Sequence, residues 1–74
     1  MSIEEARRRA REKVLEHLRQ KPPGSQVAFG TIKQLLSDLF GPNGTNYLLV
    51  QMAQEGLLEC IYVGNEASVR LKTS

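Results

Sequence analysis

The sequence predicts one α+β domain, in which three helices and a short strand are followed by a C-terminal antiparallel hairpin. Two capping-box sequences, at residues 2–5 and 31–34, each precede apolar residues at helical spacing. Two strand-like runs flank a polar loop at residues 64–67 near the C-terminal end. A length of 74 residues allows one hydrophobic core, so residues 1–74 are expected to form a single domain.

The first helix is expected to begin after Ser2, whose hydroxyl can accept a hydrogen bond from the third helical N–H. Apolar residues at spacings of three and four form one stripe: Ile3, Ala6, Ala10, Val14 and Leu18. Two i,i+4 ion pairs are expected on the exposed face: Glu4 with Arg8 and Glu5 with Arg9. The Pro-Pro-Gly sequence at residues 22–24 predicts the end of this helix.

A short extended stretch at residues 26–29 is expected to form an edge strand beside a hairpin from another part of the chain. The second capping box predicts a helix that begins at Thr31. The apolar residues of this helix share one face: Ile32, Leu35, Leu36, Leu39 and Phe40. The Gly-Pro-Asn-Gly sequence at residues 41–44 is expected to form the loop that ends it.

Thr45 is expected to cap a third helix that runs to Glu55, with Gly56 as the residue that stops it. Three of its residues are expected to face the core: Leu49, Met52 and Ala53. Strands over residues 57–63 and 68–72, joined by the four-residue loop, complete the domain.

This order of elements resembles the winged helix-turn-helix superfamily over essentially the whole chain. The resemblance is clearest at residues 49–59, Leu-Val-Gln-Met-Ala-Gln-Glu-Gly-Leu-Leu-Glu, which look like the passage from a recognition helix through glycine into the wing. The D protein family of dissimilatory sulfite reductase operons is also similar, in length and in three segments: Lys-Val-Leu-Glu-His-Leu at 13–18, Asp-Leu-Phe at 38–40, and the closing Leu71-Lys72. These resemblances imply three helices and a small sheet built from the short strand and a β-hairpin wing.

The superfamily resemblance implies that the third helix enters a DNA major groove. The side opposite its core residues carries the candidate DNA-binding or partner-binding residues: Asn46, Tyr47, Val50, Gln51 and Gln54. Asn and Gln can form paired hydrogen bonds with an adenine edge, and apolar side chains can meet a thymine methyl group. The leading prediction is therefore a DNA-binding transcription regulator that recognises duplex DNA as a homodimer.

Positive charge is concentrated at the N-terminal end, since residues 1–21 hold seven basic groups against four Glu and residues 22–74 hold three against four acidic groups. The residues expected to contact phosphate lie on the first helix, the second helix and the wing: Arg7, Arg8, Arg11, Lys33, Arg70 and Lys72. The arginine cluster at 7–11 also fits an ordinary solvated helix face.

The third helix has no Lys or Arg between Thr45 and Gly56, and this favours an alternative function. In the alternative, the domain docks on protein through Tyr47, Leu48 and Val50, either in self-association or to regulate an enzyme such as a sulfite reductase. RNA binding is a third hypothesis, although few aromatic residues are available for stacking.

No residue set predicts catalysis or a bound cofactor. His17 and Cys60 are the sole residues of their types and are expected to be structural, because one Cys and one His cannot supply the four ligands of a structural zinc site. The acidic residues are scattered over different elements, which argues against a paired-carboxylate site. We therefore expect no enzyme activity, metal, small-molecule substrate or membrane span, and a cytoplasmic location.

Overall fold

The computed structural model describes residues 2–72, which form three helices and three strands in the α+β class that the sequence predicts. The helices and strands follow one another along the chain as α1 (Ile3–Arg19), β1 (Val27–Ala28), α2 (Phe29–Leu35), α3 (Pro42–Gln54), β2 (Leu58–Val63) and β3 (Glu66–Leu71). The strands form one antiparallel sheet in the order β1-β3-β2.

Helix α1 begins as predicted, because the Glu5 N–H donates to Ser2 Oγ at 3.2 Å. The later part of its apolar stripe is buried, whereas Ile3 in the first turn is exposed. The i,i+4 pairs expected of Glu4 and Glu5 are not among the ion pairs of residues 2–72. The basic residues of α1 that do form ion pairs reach other segments of the chain instead: Arg11 reaches Glu55, and Lys13 reaches Asp38.

The prediction that Thr31 begins the second helix is wrong, because α2 begins two residues earlier, at Phe29. Ala28 occupies the cap position without a side-chain hydrogen bond, and the Phe29 side chain is buried in the core. Burial of this large ring fixes the helix start in place of the capping box. The expected strand at 26–29 is consequently reduced to Val27 and Ala28, which pair with β3 as an edge strand.

The loop expected at residues 41–44 is instead the first turn of α3. Gly41 is the N-cap and Pro42 occupies the first helical position, where its fixed φ fits and no N–H is required. Thr45 therefore lies inside the helix and is buried, so its assignment as the cap is wrong. Helix α2 ends at Leu35, and the chain reaches Gly41 through a turn in which Leu36 C=O accepts from the Phe40 N–H at 2.9 Å.

The C-terminal end of α3 confirms the role predicted for Gly56. Its φ is +83°, in the left-handed region that glycine adopts without strain. The Gly56 N–H donates to Ala53 C=O and the Leu57 N–H donates to Met52 C=O, both at 3.0 Å. These two bonds form a Schellman motif, which reverses the chain directly into β2.

The hairpin is tighter than predicted. Val63 and Glu66 are cross-strand partners, so the turn contains Gly64 and Asn65 in place of four residues. Gly64 has a φ of +59°, which suits the first central position of a two-residue hairpin turn. Ala67 and Glu66 consequently belong to β3.

The core lies between the helices and the inner side of the sheet. All three helices contribute to it, together with the residue that caps α2 and one residue from each strand: Ala10, Val14, Leu18, Val27, Phe29, Ile32, Leu36, Leu48, Leu49, Met52, Leu58 and Val69. Helix α3 is thereby fixed between α1, α2 and the hairpin, with one side left toward solvent. Over residues 2–72, no helix combines the length and apolar character required to cross a membrane.

Candidate functional site

The solvent side of α3 carries the residues that the sequence assigned to binding. The buried side of the helix is formed by Thr45, Leu48, Leu49 and Met52. Four residues on the opposite side are exposed, and we call this surface the α3 outer face: Asn43, Tyr47, Val50 and Gln54. Tyr47 is 57% exposed and Val50 is 39% exposed. The α3 outer face therefore combines amide groups with two apolar contact groups.

The other two predicted residues, Asn46 and Gln51, are half-buried at opposite edges of this face. Gln51 Nε2 donates to the Tyr47 hydroxyl at 3.3 Å, which engages the amide of Gln51 within the helix. Asn46 Oδ1 is buried and has no hydrogen-bond partner within residues 2–72. The structure therefore brings all five predicted residues to one side of α3, with Tyr47, Val50 and Gln54 most accessible.

Asn43 is an exposed residue of this face that the sequence analysis missed. Residues 41–44 were expected to form a loop, whereas they form the first turn of the helix. The signal was available in Pro42, because proline is favoured at the first helical position after a cap residue such as Gly41. Asn43 therefore lies on the exposed side of the first turn of α3.

Leu48 is a correction to the alternative prediction of protein docking. It is 3% exposed and packs in the core beside Leu49. The two adjacent leucines are both buried because the core-facing side of α3 is centred between them. Any partner that docks on α3 would meet Tyr47 and Val50 without Leu48.

Helix α1 supplies the positive charge that α3 lacks. The Arg7 guanidinium lies over the Tyr47 ring, with 5.8 Å between its central carbon and the ring centroid. This distance fits a cation–π contact, which holds the guanidinium at the border of the α3 outer face. One turn further along α1, Arg11 forms an ion pair with Glu55 at 2.7 Å. Arg11 thereby neutralises the acidic residue that follows the helix.

Arg8 and Arg9 are exposed and form no ion pair within residues 2–72. Arg7 is likewise exposed and has no carboxylate partner in the same range. We call Arg7 and Arg8 the α1 flank, because Arg9 lies on the side of α1 that carries Lys13. This flank borders α3 at Arg7 and keeps two guanidinium groups available to an anionic partner.

The hairpin presents a different charge pattern on the other side of α3. Arg70 donates from Nε and Nη2 to Glu59 Oε2, at 3.1 and 2.8 Å. The two residues are cross-strand partners on β2 and β3, so the pair is built into the sheet. Glu66 is exposed at the end of the turn. The sequence analysis expected Arg70 to contact phosphate, but its guanidinium is bound by the Glu59 carboxylate.

A cleft of about 580 Å³ separates α3 from the hairpin. Its lining is mainly apolar, from Phe29, Val50 and Tyr62, with Lys33 and Glu66 as its charged residues. The Phe29 and Tyr62 rings meet edge to face, with centroids 6.2 Å apart. Lys33, a predicted phosphate contact, therefore faces this cleft, while Lys72 is exposed at the end of β3.

Cys60 and Tyr62 lie two positions apart on β2 and interact electrostatically. The pKa of the Tyr62 phenol is raised above its usual value of 10.0, chiefly by negative charge on Cys60 and also by burial and a hydrogen bond with that side chain. Within residues 2–72, no three His, Cys, Asp or Glu side chains are grouped so that they could hold a metal ion. His17 Nε2 is buried and lacks a hydrogen-bond partner in the same range.

Comparisons with known proteins returned no match for the chain, whether against protein-family models, curated protein sequences or solved structures.

Proposed function

We propose that this chain is a winged helix-turn-helix domain, with β2 and β3 as its wing, that binds duplex DNA through the α3 outer face and acts as a cytoplasmic transcription regulator. The proposal is supported by the order of the helices and strands and by the sheet order β1-β3-β2. It is also supported by the exposure of one complete side of α3, since a helix must present a free side to enter a major groove.

The observation that carries the proposal is the position of Arg7 over Tyr47. A helix without Lys or Arg is poorly equipped for DNA, because phosphate contacts supply most of the non-specific affinity. Arg7 brings a guanidinium to the edge of the α3 outer face, and Arg8 lies beside it in the sequence. The α1 flank therefore compensates for the missing cations of α3.

The α3 outer face has the chemistry for reading base edges. Asn43 and Gln54 carry amides that can form paired hydrogen bonds with adenine, and Val50 can contact a thymine methyl group. Each good pairing of this kind contributes about 1–3 kcal/mol of discrimination against a wrong base. These groups favour sites that contain A·T base pairs.

The predicted phosphate contacts divide into two groups under this proposal. Arg7 and Arg8 on α1, Lys33 at the cleft and Lys72 after β3 have no acidic side-chain partner within residues 2–72. Arg11 and Arg70 are held by Glu55 and Glu59. Phosphate must displace a carboxylate to reach these two arginines, so we expect them to contribute less to affinity.

The test is fluorescence anisotropy with a labelled generic duplex, titrated at low salt and at several salt concentrations. Arg7→Ala should weaken binding about tenfold at ~0.1 M salt and lower the salt-dependence slope by about 1. Arg9→Ala is the matched control, because it removes the same charge from the same helix but lies two residues from Arg7 on a different side. No binding of any duplex by the unaltered protein would refute the proposed function.

A second measurement separates base reading from simple charge attraction. Gln54→Ala should reduce discrimination between duplexes of different sequence, which are selected from a random pool, while leaving the salt slope unchanged. Equal affinity for all duplexes before and after this substitution would limit the function to non-specific DNA binding.

The cleft favours protein docking as a second candidate function. Val50 and Tyr62 are exposed apolar residues that line it together with the Phe29 ring. A protein that inserts an apolar side chain would bury them, and the resemblance to the sulfite reductase D family suggests an enzyme as the partner. Val50→Lys discriminates the candidates, since it should strengthen attraction to DNA phosphate but block insertion into an apolar cleft.

A further inference from the structure

Helix α3 turns two groups of residues toward different neighbours. Asn46 and Val50 line the cleft beside the hairpin. Tyr47 lies under the Arg7 guanidinium, on the side of α3 that borders α1. Gln51 follows Tyr47 at a spacing of four residues, so the two side chains are neighbours on the same side of the helix. The border between α3 and α1 is therefore formed by a phenol, an amide and a guanidinium.

The Tyr47 hydroxyl has a free donor. Gln51 Nε2 donates to this hydroxyl at 3.3 Å, so the phenol oxygen is the acceptor of the bond. A phenol carries one O–H donor in addition to its acceptor lone pairs. Within residues 2–72, the Tyr47 hydroxyl donates to no other side chain or backbone group. Because Tyr47 is 57% exposed, an acceptor from outside the chain can reach this O–H.

The Arg7 guanidinium adds a positive charge beside this donor. Its central carbon lies 5.8 Å from the Tyr47 ring centroid, and it has no carboxylate partner within residues 2–72. The nearby Glu55 carboxylate is paired with Arg11 at 2.7 Å, which reduces its repulsion of an anion. An O–H donor beside an unpaired guanidinium fits an anion with at least two free oxygens, since charge-assisted hydrogen bonds are the stronger ones.

We propose that Tyr47 and Arg7 together bind one backbone phosphate of the DNA, and that Gln51 is a positioning residue that orients the Tyr47 hydroxyl. One phosphate oxygen accepts from the hydroxyl and the other accepts from the guanidinium. The inference rests on the proposed function and deepens it, because phosphate contacts fix the register of a protein on the duplex. The strand then follows the border between α1 and α3, and Val50 and Gln54 remain directed to the bases.

Contacts within the fold favour phosphate over a base edge as the partner of Tyr47. Arg7 covers one face of the Tyr47 ring, so this face is not free to meet a thymine methyl group. Gln51 is half-buried and bonded to Tyr47, whereas Gln54 is exposed and has no side-chain hydrogen bond within residues 2–72. Gln54 is therefore the amide available for paired hydrogen bonds with adenine, and Gln51 acts through Tyr47.

Anisotropy titrations with a labelled generic duplex at ~0.1 M salt test the hydroxyl. Tyr47→Phe keeps the ring under Arg7 and removes one neutral donor, so binding should weaken about fivefold to tenfold with an unchanged salt slope. Tyr62→Phe is the matched control, because it removes a phenol hydroxyl from the hairpin and should leave the affinity within about twofold.

The outcomes separate this inference from the proposed function. If the unaltered protein binds the duplex and Tyr47→Phe binds equally well, the phosphate contact of Tyr47 is refuted while DNA binding stands. An equal loss in Tyr62→Phe would also overturn the assignment. Failure of the unaltered protein to bind any duplex refutes the proposed function itself.

A double variant tests whether Tyr47 and Arg7 bind the same phosphate. Arg7→Ala/Tyr47→Phe should bind only slightly more weakly than Arg7→Ala alone, because a phosphate that has lost one donor is no longer held for the other. Arg8→Ala/Tyr47→Phe is the matched control, in which the two separate losses should multiply. Losses that multiply equally in both double variants would show two independent contacts and overturn the shared site.

Gln51→Ala separates positioning from base reading. It should weaken the binding of every duplex by the same factor of about threefold and leave discrimination between selected sequences unchanged. In a Tyr47→Phe background, the same substitution should have no further effect, because the hydroxyl that Gln51 orients is absent. A loss of discrimination with full affinity for a generic duplex would make Gln51 a base-reading residue and overturn its positioning role.

Discussion

The two surfaces that flank α3 contain similar numbers of basic residues but differ in the charge they offer. On the α1 flank, the guanidinium groups of Arg7 and Arg8 have no carboxylate partner within residues 2–72. On the hairpin, Arg70 is bound by Glu59 and the turn adds Glu66. Ion pairs within the fold, more than the number of basic residues, therefore decide where an anionic partner is attracted.

The largest expected effect comes from removal of the whole α1 flank. Arg7→Ala/Arg8→Ala should weaken binding of a generic duplex about 100-fold at ~0.1 M salt, because each lost phosphate contact costs about tenfold there. Anisotropy titrations measure this loss, and circular dichroism checks that α1 remains helical. If Lys33→Ala/Lys72→Ala weakens binding more than this double variant does, the DNA lies on the hairpin side of α3 and the α1 flank is not the stronger attractant.

The next largest effect is a loss of stability at the junction between α3 and the hairpin. Gly56→Ala should lower the free energy of unfolding by about 1–2 kcal/mol, because a φ of +83° is strained for a residue with a Cβ. An added Cβ would meet no atom within 4 Å, so the cost is one of backbone conformation.

Gly30→Ala is the control for this substitution. A Cβ added at Gly30 would also meet no atom within 4 Å, but Gly30 lies in α2 and its φ is not positive. Alanine should therefore stabilise the helix by roughly 0.5–1 kcal/mol. Urea titration measures both values, and a loss of stability for Gly30→Ala equal to that for Gly56→Ala would remove the conformational explanation.

A smaller effect on DNA affinity is expected when Arg70 of the hairpin loses its carboxylate partner. Glu59→Gln releases Arg70 from its carboxylate and should tighten DNA binding about threefold, with a salt slope steeper by up to about 1. Glu66→Gln is the matched control, because it removes the same negative charge from the hairpin without releasing an arginine. Equal gains from both variants would show that net charge alone is responsible.

The smallest effect concerns the phenol on β2. The pKa of Tyr62 is raised, so the phenol stays neutral to a higher pH in the folded protein than in the unfolded chain. The contribution of this shift to the free energy of unfolding is present below pH 10 and is lost as the pH rises through the folded pKa. Cys60→Ser in a Tyr47→Phe background should move the pKa of Tyr62 down toward 10.0. Tyrosinate absorbance measures the change, and an unaltered midpoint would exclude Cys60 as the cause.

Local signals at chain ends and reversals were predictable from the sequence. Ser2 and Gly56 act within a few residues of themselves, and both have the predicted roles. Thr31 and Thr45 carry similar signals, but the helix starts depend on tertiary burial of Phe29 and on Pro42 at the first helical position. Capping propensity contributes only about 1 kcal/mol, which such contacts exceed.

The candidate site was predictable where it depends on helical periodicity alone. Tyr47, Val50 and Gln54 follow from the spacing of core residues, whereas Leu48 was misplaced because two adjacent leucines allow either side to be buried. The partners of Arg11 and Arg70 lie 44 and 11 residues away in sequence. No local pattern reports such distant pairs, so the difference between the two flanks required the fold.

The pairing of β1 with β3 has a consequence for the order of folding. Val27 and Val69 are partners although they are 42 positions apart, whereas the hairpin closes over two residues. Closing the longer loop costs more chain entropy and is repaid by only two paired residues. We therefore expect β1 to dock last, and native-state hydrogen exchange to release the amides of residues 27 and 28 well before those at the centre of α3.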